Sequence, residues 1–281
     1  MTPFQAAVLG FVQGLTEFIP VSSTAHLRIV PALLGWEDPG TAFSAVIQFG
    51  TLAAVLVYFA GDIWRLSLAA LVWPLTRSEA LREDARLAWS IAVGNLPIVA
   101  IGFGGRDFIE TQARSLYLIA AMLILVALAL AWVERRGARA AAEGLGAESL
   151  TFGPVIAIGV FQALALIPGA SRSGVTILGG LWLGLRRAEA ARFSFLLGIP
   201  AILGAGLFEL RPLAAELSSG AGGGADAAAL GLALLMAFLS GYASIGFLLR
   251  YLRTRTTMVF VGYRIGLGLI LLALTAAGWI Q

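Results

Sequence analysis

The chain of 281 residues has no cysteine, no lysine and a single histidine, and only 12% of its residues are charged. Without cysteine there is neither a disulfide staple nor a thiolate metal site. One histidine cannot build a histidine-rich metal centre. All 19 basic residues are arginine, so the lysine of a GxxxxGK[ST] phosphate loop is missing and nucleoside triphosphate hydrolysis is a poor fit. An ordinary soluble domain is about 25% charged. With 59% hydrophobic residues and a mean hydropathy of +0.90, this chain has too few polar side chains to cover a water-facing surface. That excludes a soluble enzyme, a disordered chain and a nucleic-acid-binding module. Its solvent is lipid. The net charge of +3 does not call for a polyanionic partner, because the arginines fall in short breaks between apolar runs, where membrane proteins keep them.

What is present is a series of apolar runs. The N-terminus lacks a positive n-region and a small-x-small cleavage pattern, so the first run is expected to stay in the mature protein. Residues 41–59 form the first run long enough to cross a bilayer, and 66–75 continue it or re-enter after Asp62 and Arg65. Further spans are expected at 88–105, 116–133, 193–210, 230–249 and 259–280. The stretch 134–148 is charged and rich in glycine and alanine, and 218–226 reads as an extramembrane loop.

Two apolar segments are poor spans. Residues 4–19 hold Gln13 and Glu17 and end at Pro20, before Ser22, Ser23, Thr24 and His26. Residues 152–167 end at Pro168, before Ser171, Arg172, Ser173 and Thr176. Irregular backbone survives at membrane depth only when buried in protein or lining a wet cavity, so both segments are expected to be broken or re-entrant helices converging on one interior site. They also match each other: QGLTEFIPVSST at 13–24 corresponds to QALALIPGASRS at 162–173, the second copy being one residue shorter between its glutamine and Ile-Pro. Phe43-Ser44 stands 150 residues before Phe193-Ser194, each pair opening an apolar run. The chain is therefore one membrane domain over 1–281 built of two repeats, about 1–135 and about 150–281, with the polar site expected at their interface.

The polar residues suggest phosphate chemistry. Gln13 lies four residues before Glu17 on the same helical face, and an ionisable group at membrane depth is costly and usually functional. His26 beside a carboxylate and two serines is a candidate base or nucleophile. Ser23 shares a face with it if the stretch is helical, and whether Ser23 attacks or only positions is open. Arg172 between Ser171 and Ser173, with Thr176 beyond, suits paired charge-assisted bonds to a phosphate. Arg264, inside the last apolar run, suggests a second phosphate contact. Such a set could hold and hydrolyse a phosphate or diphosphate whose greasy remainder stays in lipid.

These residues carry a resemblance over essentially the whole chain. QGLTEFIPVSSTAH at 13–26 and PGASRSGVT at 168–176 resemble the (E/Q)xxxE, Ser-Ser-Thr-x-His and PGxSRSxxT motifs of the undecaprenyl-diphosphate phosphatase family, the integral-membrane bacitracin-resistance proteins. Many members have glutamate where this chain has Gln13. The resemblance implies hydrolysis of undecaprenyl diphosphate to undecaprenyl phosphate and inorganic phosphate, which recycles the carrier for peptidoglycan. It implies an all-α polytopic fold of roughly ten helical elements, with two inverted-topology repeats and two re-entrant segments, commonly as a homodimer among membrane lipids. The active site would face the outer side of the bacterial cytoplasmic membrane. Glu17, Ser23, His26 and Arg172 would be catalytic, with Gln13, Ser171, Ser173, Thr176 and Arg264 binding substrate. No tightly bound cofactor is implied, but divalent cations, Mg2+ or Ca2+, assist the family's activity, and Glu17 with the diphosphate is the natural place for one. A transporter or lipid flippase using the same repeat-interface site is the alternative.

Overall fold

The computed structural model describes residues 1–104, 115–137, 144–218 and 227–280. Most of the two hydrophilic stretches, 138–143 and 219–226, lies outside the described residues. Apart from one isolated bridge between Leu145 and Leu185, the regular structure among the described residues is helical. The protein is an all-α polytopic membrane protein.

Helix α1 (Pro3–Phe18) is opened by a capping box. Thr2 accepts from the Gln5 backbone N–H, and the Gln5 side chain accepts from the Thr2 N–H. Helix α2 (Ser23–Leu34) follows a tight turn and stops at Gly35 in the left-handed region. Helices α3 (Gly40–Tyr58) and α4 (Ala60–Thr76) meet at a 76° bend, so the run expected at 66–75 turns away from the span before it. Helices α5 (Glu79–Gly94) and α6 (Leu96–Gly104) run on as one candidate span over Glu79–Gly102, charged in its first turns and apolar beyond them. Next come α7 (Leu116–Arg136), α8 (Phe152–Ala163) and α9 (Arg172–Trp182). The chain closes with α10 (Arg187–Ser218), α11 (Ala227–Leu252) and α12 (Met258–Ala276). The α5–α6 stretch, α7, α10, α11 and α12 each contain a segment long and apolar enough to cross a membrane.

The two poor spans are half-length hairpins. Helix α1 runs beside α11, with Gly10 against the Ala233 backbone, Gly14 against Ala237 and Ser240, and Phe18 level with Gly241. It therefore stops halfway along α11. The close approach needs small residues on both sides, Gly10 and Gly14 facing Ala229, Ala233, Ala237 and Gly241, which is how helices associate without a hydrophobic driving force. Helix α2 then turns back. Leu27 rejoins Ala6, Leu9 and Ala229 in one apolar cluster, and Phe4 packs edge-on against Trp36.

The second hairpin, α8 to α9, is rooted at the other end of the bundle. Leu145 exchanges backbone hydrogen bonds with Gly184 and Arg186. Arg187 binds Glu134 at the end of α7, whose beginning, Leu116 to Ala120, packs with Ala25 and Ile29 of the first hairpin. A short 3-10 turn, Leu164–Leu166, ends α8. Its rise of about 2.0 Å per residue, against about 1.5 Å in an α-helix, lets the copy that is one residue shorter reach the same depth. Opposed hairpins whose tips meet inside the bundle place the site.

Candidate active site

Both hairpin tips have the same local shape. Each follows an Ile-Pro pair, and each starts its outgoing helix at a serine with positive φ, Ser22 at 74° and Ser171 at 70°. The hydroxyl of each serine caps its helix, accepting from Ala25 N–H at 3.4 Å and Gly174 N–H at 3.2 Å. A non-glycine residue in this region is strained, and such strain collects at functional sites. Two helix N-termini, with their positive dipole ends, therefore open on the same space.

That space is a cavity of about 180 Å³. Glu17, Ser22, Ser23 and Thr24 line it from the first hairpin, and Gly169, Ser171 and Arg172 from the second. Ile98, Ala165 to Ile167, Ala201, Ile202 and Ala205 form an apolar wall. Glu17 and Arg172 are the charged side chains among these lining residues. Arg172 donates from Nη2 to Glu17 Oε1 at 2.9 Å, the two side chains being 12% and 9% exposed. The other carboxylate oxygen accepts from Ser23 Oγ at 2.6 Å and from Gln13 Nε2 at 3.0 Å. Arg172 Nη1 has no protein partner, and its close approach depends on Gly198 of α10, where a Cβ would collide with it.

The structure brings Glu17, Ser23, Ser171 and Arg172 together at the cavity and sets the other expected residues around it. Gln13 is fully buried behind Glu17, which it holds. Ser173 stitches the hairpins together, its Oγ 3.3 Å from the carbonyls of both Glu17 and Ile19. Thr176 donates to the Arg172 carbonyl at 2.7 Å and lies 2.5 Å from the Ser194 hydroxyl. His26 is not in the cavity wall. Its Nδ1 lies 2.7 Å from the Ser22 carbonyl and its Nε2 2.6 Å from the Tyr263 hydroxyl, so both ring nitrogens are engaged. Arg264 is also outside the wall. Its guanidinium donates to the carbonyls of Pro20, Met122, Leu123, Gly169 and Ala170 rather than facing a phosphate.

Three further residues belong to the site or its supports: Gln48, Ser194 and Tyr263. Gln48 lines the cavity from α3, and its one signal in the sequence is a polar side chain inside an apolar run. Ser194 enters the sequence reading only through the repeat alignment, and nothing local in the sequence marks Tyr263. Away from the cavity, Glu134 is 3% exposed and held by Arg187 and Thr257.

The donor set does not fit a resident metal. No group of three or more His, Asp or Glu side chains that could hold an ion occurs among the described residues. The one carboxylate at the cavity is already wrapped by three donors.

The sequence model of the family described as Bacitracin resistance protein BacA matches residues 6–270. An undecaprenyl-diphosphatase of Myxococcus xanthus (strain DK1622) is 53% identical, the alignment covering 99% of this chain and 91% of the relative. One from Chlorobium phaeobacteroides (strain BS1) is 48% identical over the full length of both chains. One from Chlorobaculum tepidum is 49% identical over 99% of each.

Proposed function

Since the chain belongs to the bacitracin resistance protein family, we propose that it hydrolyses undecaprenyl diphosphate to undecaprenyl phosphate and inorganic phosphate. This recycles the lipid carrier for peptidoglycan and confers bacitracin resistance when the protein is abundant. The observation that carries the reading is the Glu17 carboxylate, which accepts from the Ser23 hydroxyl on one oxygen and from Arg172 on the other, in a cavity with an apolar wall on one side.

Ser23 Oγ attacks the terminal phosphorus while Glu17 Oε2 takes its proton. The bond from that phosphorus to the bridging oxygen breaks, and undecaprenyl phosphate leaves with the bonding pair. Arg172 and the N-termini of α2 and α9 face the charge that spreads over the transferring phosphoryl oxygens. Glu17 then passes its proton to water and, as a carboxylate again, takes a proton from the water that attacks the phosphoserine; the P–Oγ bond breaks, phosphate leaves, and Glu17 returns that proton to Ser23 Oγ. The apolar wall receives the first part of the isoprenoid, and the rest stays in lipid. A Mg2+ or Ca2+ ion would enter this scheme only with the diphosphate, where it would help neutralise the phosphate charge, and no step above runs through it.

The arrangement of arginines supports an outward-facing site. Arg135, Arg136, Arg186, Arg187, Arg250, Arg253 and Arg255 stand at the end where the second hairpin is rooted, where Glu134 of α7 binds Arg187 and Thr257. The end where the first hairpin is rooted carries Arg28 and Arg211 among the described residues. Arginine-rich ends of membrane proteins face the cytoplasm, so the first hairpin enters from the outer face of the cytoplasmic membrane. Ala205, lining the cavity, lies 18 residues along α10 from Arg187, about 27 Å at 1.5 Å per residue, which supports reading that wall as nearer the outer side. Assembly as a homodimer is carried by the resemblance, and native mass spectrometry in detergent tests it.

Purified protein given a polyprenyl diphosphate should release phosphate and form an acid-stable phosphoserine at position 23 in a rapid quench. Ser23→Ala should abolish both. Ser23→Ala turning over at the wild-type rate would sink the covalent scheme, and absence of phosphate release from the wild type would sink the assigned reaction.

A further inference from the structure

Tyr263 and Arg264 are neighbours on α12, and neither is among the residues lining the cavity. Yet between them they hold both hairpin tips. Arg264 is fully buried. It donates to Pro20 O at 3.2 Å in the first tip and to Gly169 O and Ala170 O at 3.0 and 3.1 Å in the second. It also reaches Leu123 O and Met122 O of α7, both at 3.2 Å. Tip carbonyls lie outside regular helix and lack helical N–H partners, and unpaired they would be costly at membrane depth. A planar guanidinium is the one side chain with enough rigidly arranged donors to serve all five.

Tyr263 acts one step further away. The Ser22 carbonyl can only accept, so His26 Nδ1 carries a proton and donates to it at 2.7 Å. In the neutral ring Nε2 then accepts from the Tyr263 hydroxyl at 2.6 Å, with the two rings stacked at 5.7 Å. The imidazole's one ring lone pair is thereby occupied. Ser22 is the strained residue immediately before Ser23, so the carbonyl that His26 holds fixes the direction in which Ser23 leaves the turn.

We propose that Tyr263 and Arg264 are positioning residues of the active site, with His26 as the relay between Tyr263 and the Ser22 turn. They lock the two hairpin tips in the register that sets Ser23 against Glu17 and Arg172. This rests on the reading that Ser23 and Glu17 carry the chemistry. It gives His26 no proton transfer and Arg264 no phosphate.

The discriminating experiment compares His26→Asn, His26→Ala, Tyr263→Phe and Arg264→Lys, each purified in detergent, with kcat, KM and melting temperature measured on a polyprenyl diphosphate. Asparagine puts its amide N–H where Nδ1–H stands and has nothing at Nε2. His26→Asn should therefore stay within about tenfold of the wild-type kcat, while His26→Ala falls about a hundredfold, the loss expected for a misplacement on the order of 1 Å. Tyr263→Phe keeps the stacked ring and should lower kcat about five- to tenfold with KM unchanged, well below its melting temperature. Arg264→Lys keeps the charge but reaches fewer carbonyls, and should lower kcat further. His26→Asn as inactive as His26→Ala at equal thermal stability would overturn the proposal, since His26 would then act chemically. So would wild-type kcat in Tyr263→Phe or in Arg264→Lys. An active Ser23→Ala variant would instead refute the underlying covalent reading, so the two failures are separate.

Discussion

Replacing Glu17 by glutamine separates the electrostatic role of the carboxylate from its shape. The amide fills the same volume and can still accept from Arg172, but the guanidinium, 12% exposed, loses its counter-charge. Its Nη1 is already without a protein partner, so no second acceptor takes up the loss. Leaving one member of such a pair alone costs about 3–5 kcal/mol, and at about 2–4 °C per kcal/mol for a chain of this size the apparent melting temperature in detergent should fall by about 10 °C. Adding Arg172→Met removes the stranded charge and should restore most of that loss, because replacing a whole buried pair by apolar side chains is often neutral or stabilising. Activity should not follow stability. Glu17→Gln should lose about 10²- to 10⁴-fold in kcat as the base disappears, and the double variant should be no faster. The assays are a thermal-shift cycle over the four proteins and phosphate release from undecaprenyl diphosphate. A coupling energy below about 0.5 kcal/mol, the level at which independent sites simply add, would refute the claim that these two charges are buried against each other.

Two further outcomes follow from the packing. Gly10→Val should push α1 away from the Ala233 carbonyl on which Gly10 rests, costing at least about 1–3 kcal/mol and loosening the first hairpin, visible as a lower melting temperature and faster proteolysis near residue 35. Glu134→Ala leaves Arg187, 12% exposed, without its partner and should cost about 3–5 kcal/mol, while Glu134→Ala with Arg187→Met recovers it. Arg187 precedes the cavity residue Ala201 by 14 positions on α10, about 21 Å, so turnover per folded molecule should be unchanged in both variants.

The break points of both hairpins were legible because Ile-Pro followed by hydroxyls cannot continue a membrane helix, and the matching order at 13–24 and 162–173 showed that the break occurs twice. Glu17 and Arg172 were legible as candidates because a charge in an apolar run is expensive. Their pairing was not, since 155 positions separate them and only the meeting of opposed hairpins closes that distance. His26 shows the same dependence on packing. Its spacing from Ser23 suggests a common face, but α2 begins at Ser23, so that serine turns back to Glu17 while the imidazole reaches the Ser22 carbonyl and a tyrosine 237 positions away. The partners of Arg264, carbonyls of both hairpin tips and of α7, are equally remote in sequence.

The sequence by itself determined the solvent, the all-helical class, the two interrupted segments and the residue types of a phosphate-handling site, because each of these follows from local composition and from what backbone tolerates in lipid. Tertiary structure alone decided which polar groups face the cavity and which hold its walls. A hydrogen bond depends on direction and on distances of about 3 Å, and for residues in different helices these are set by how the helices pack rather than by their order along the chain.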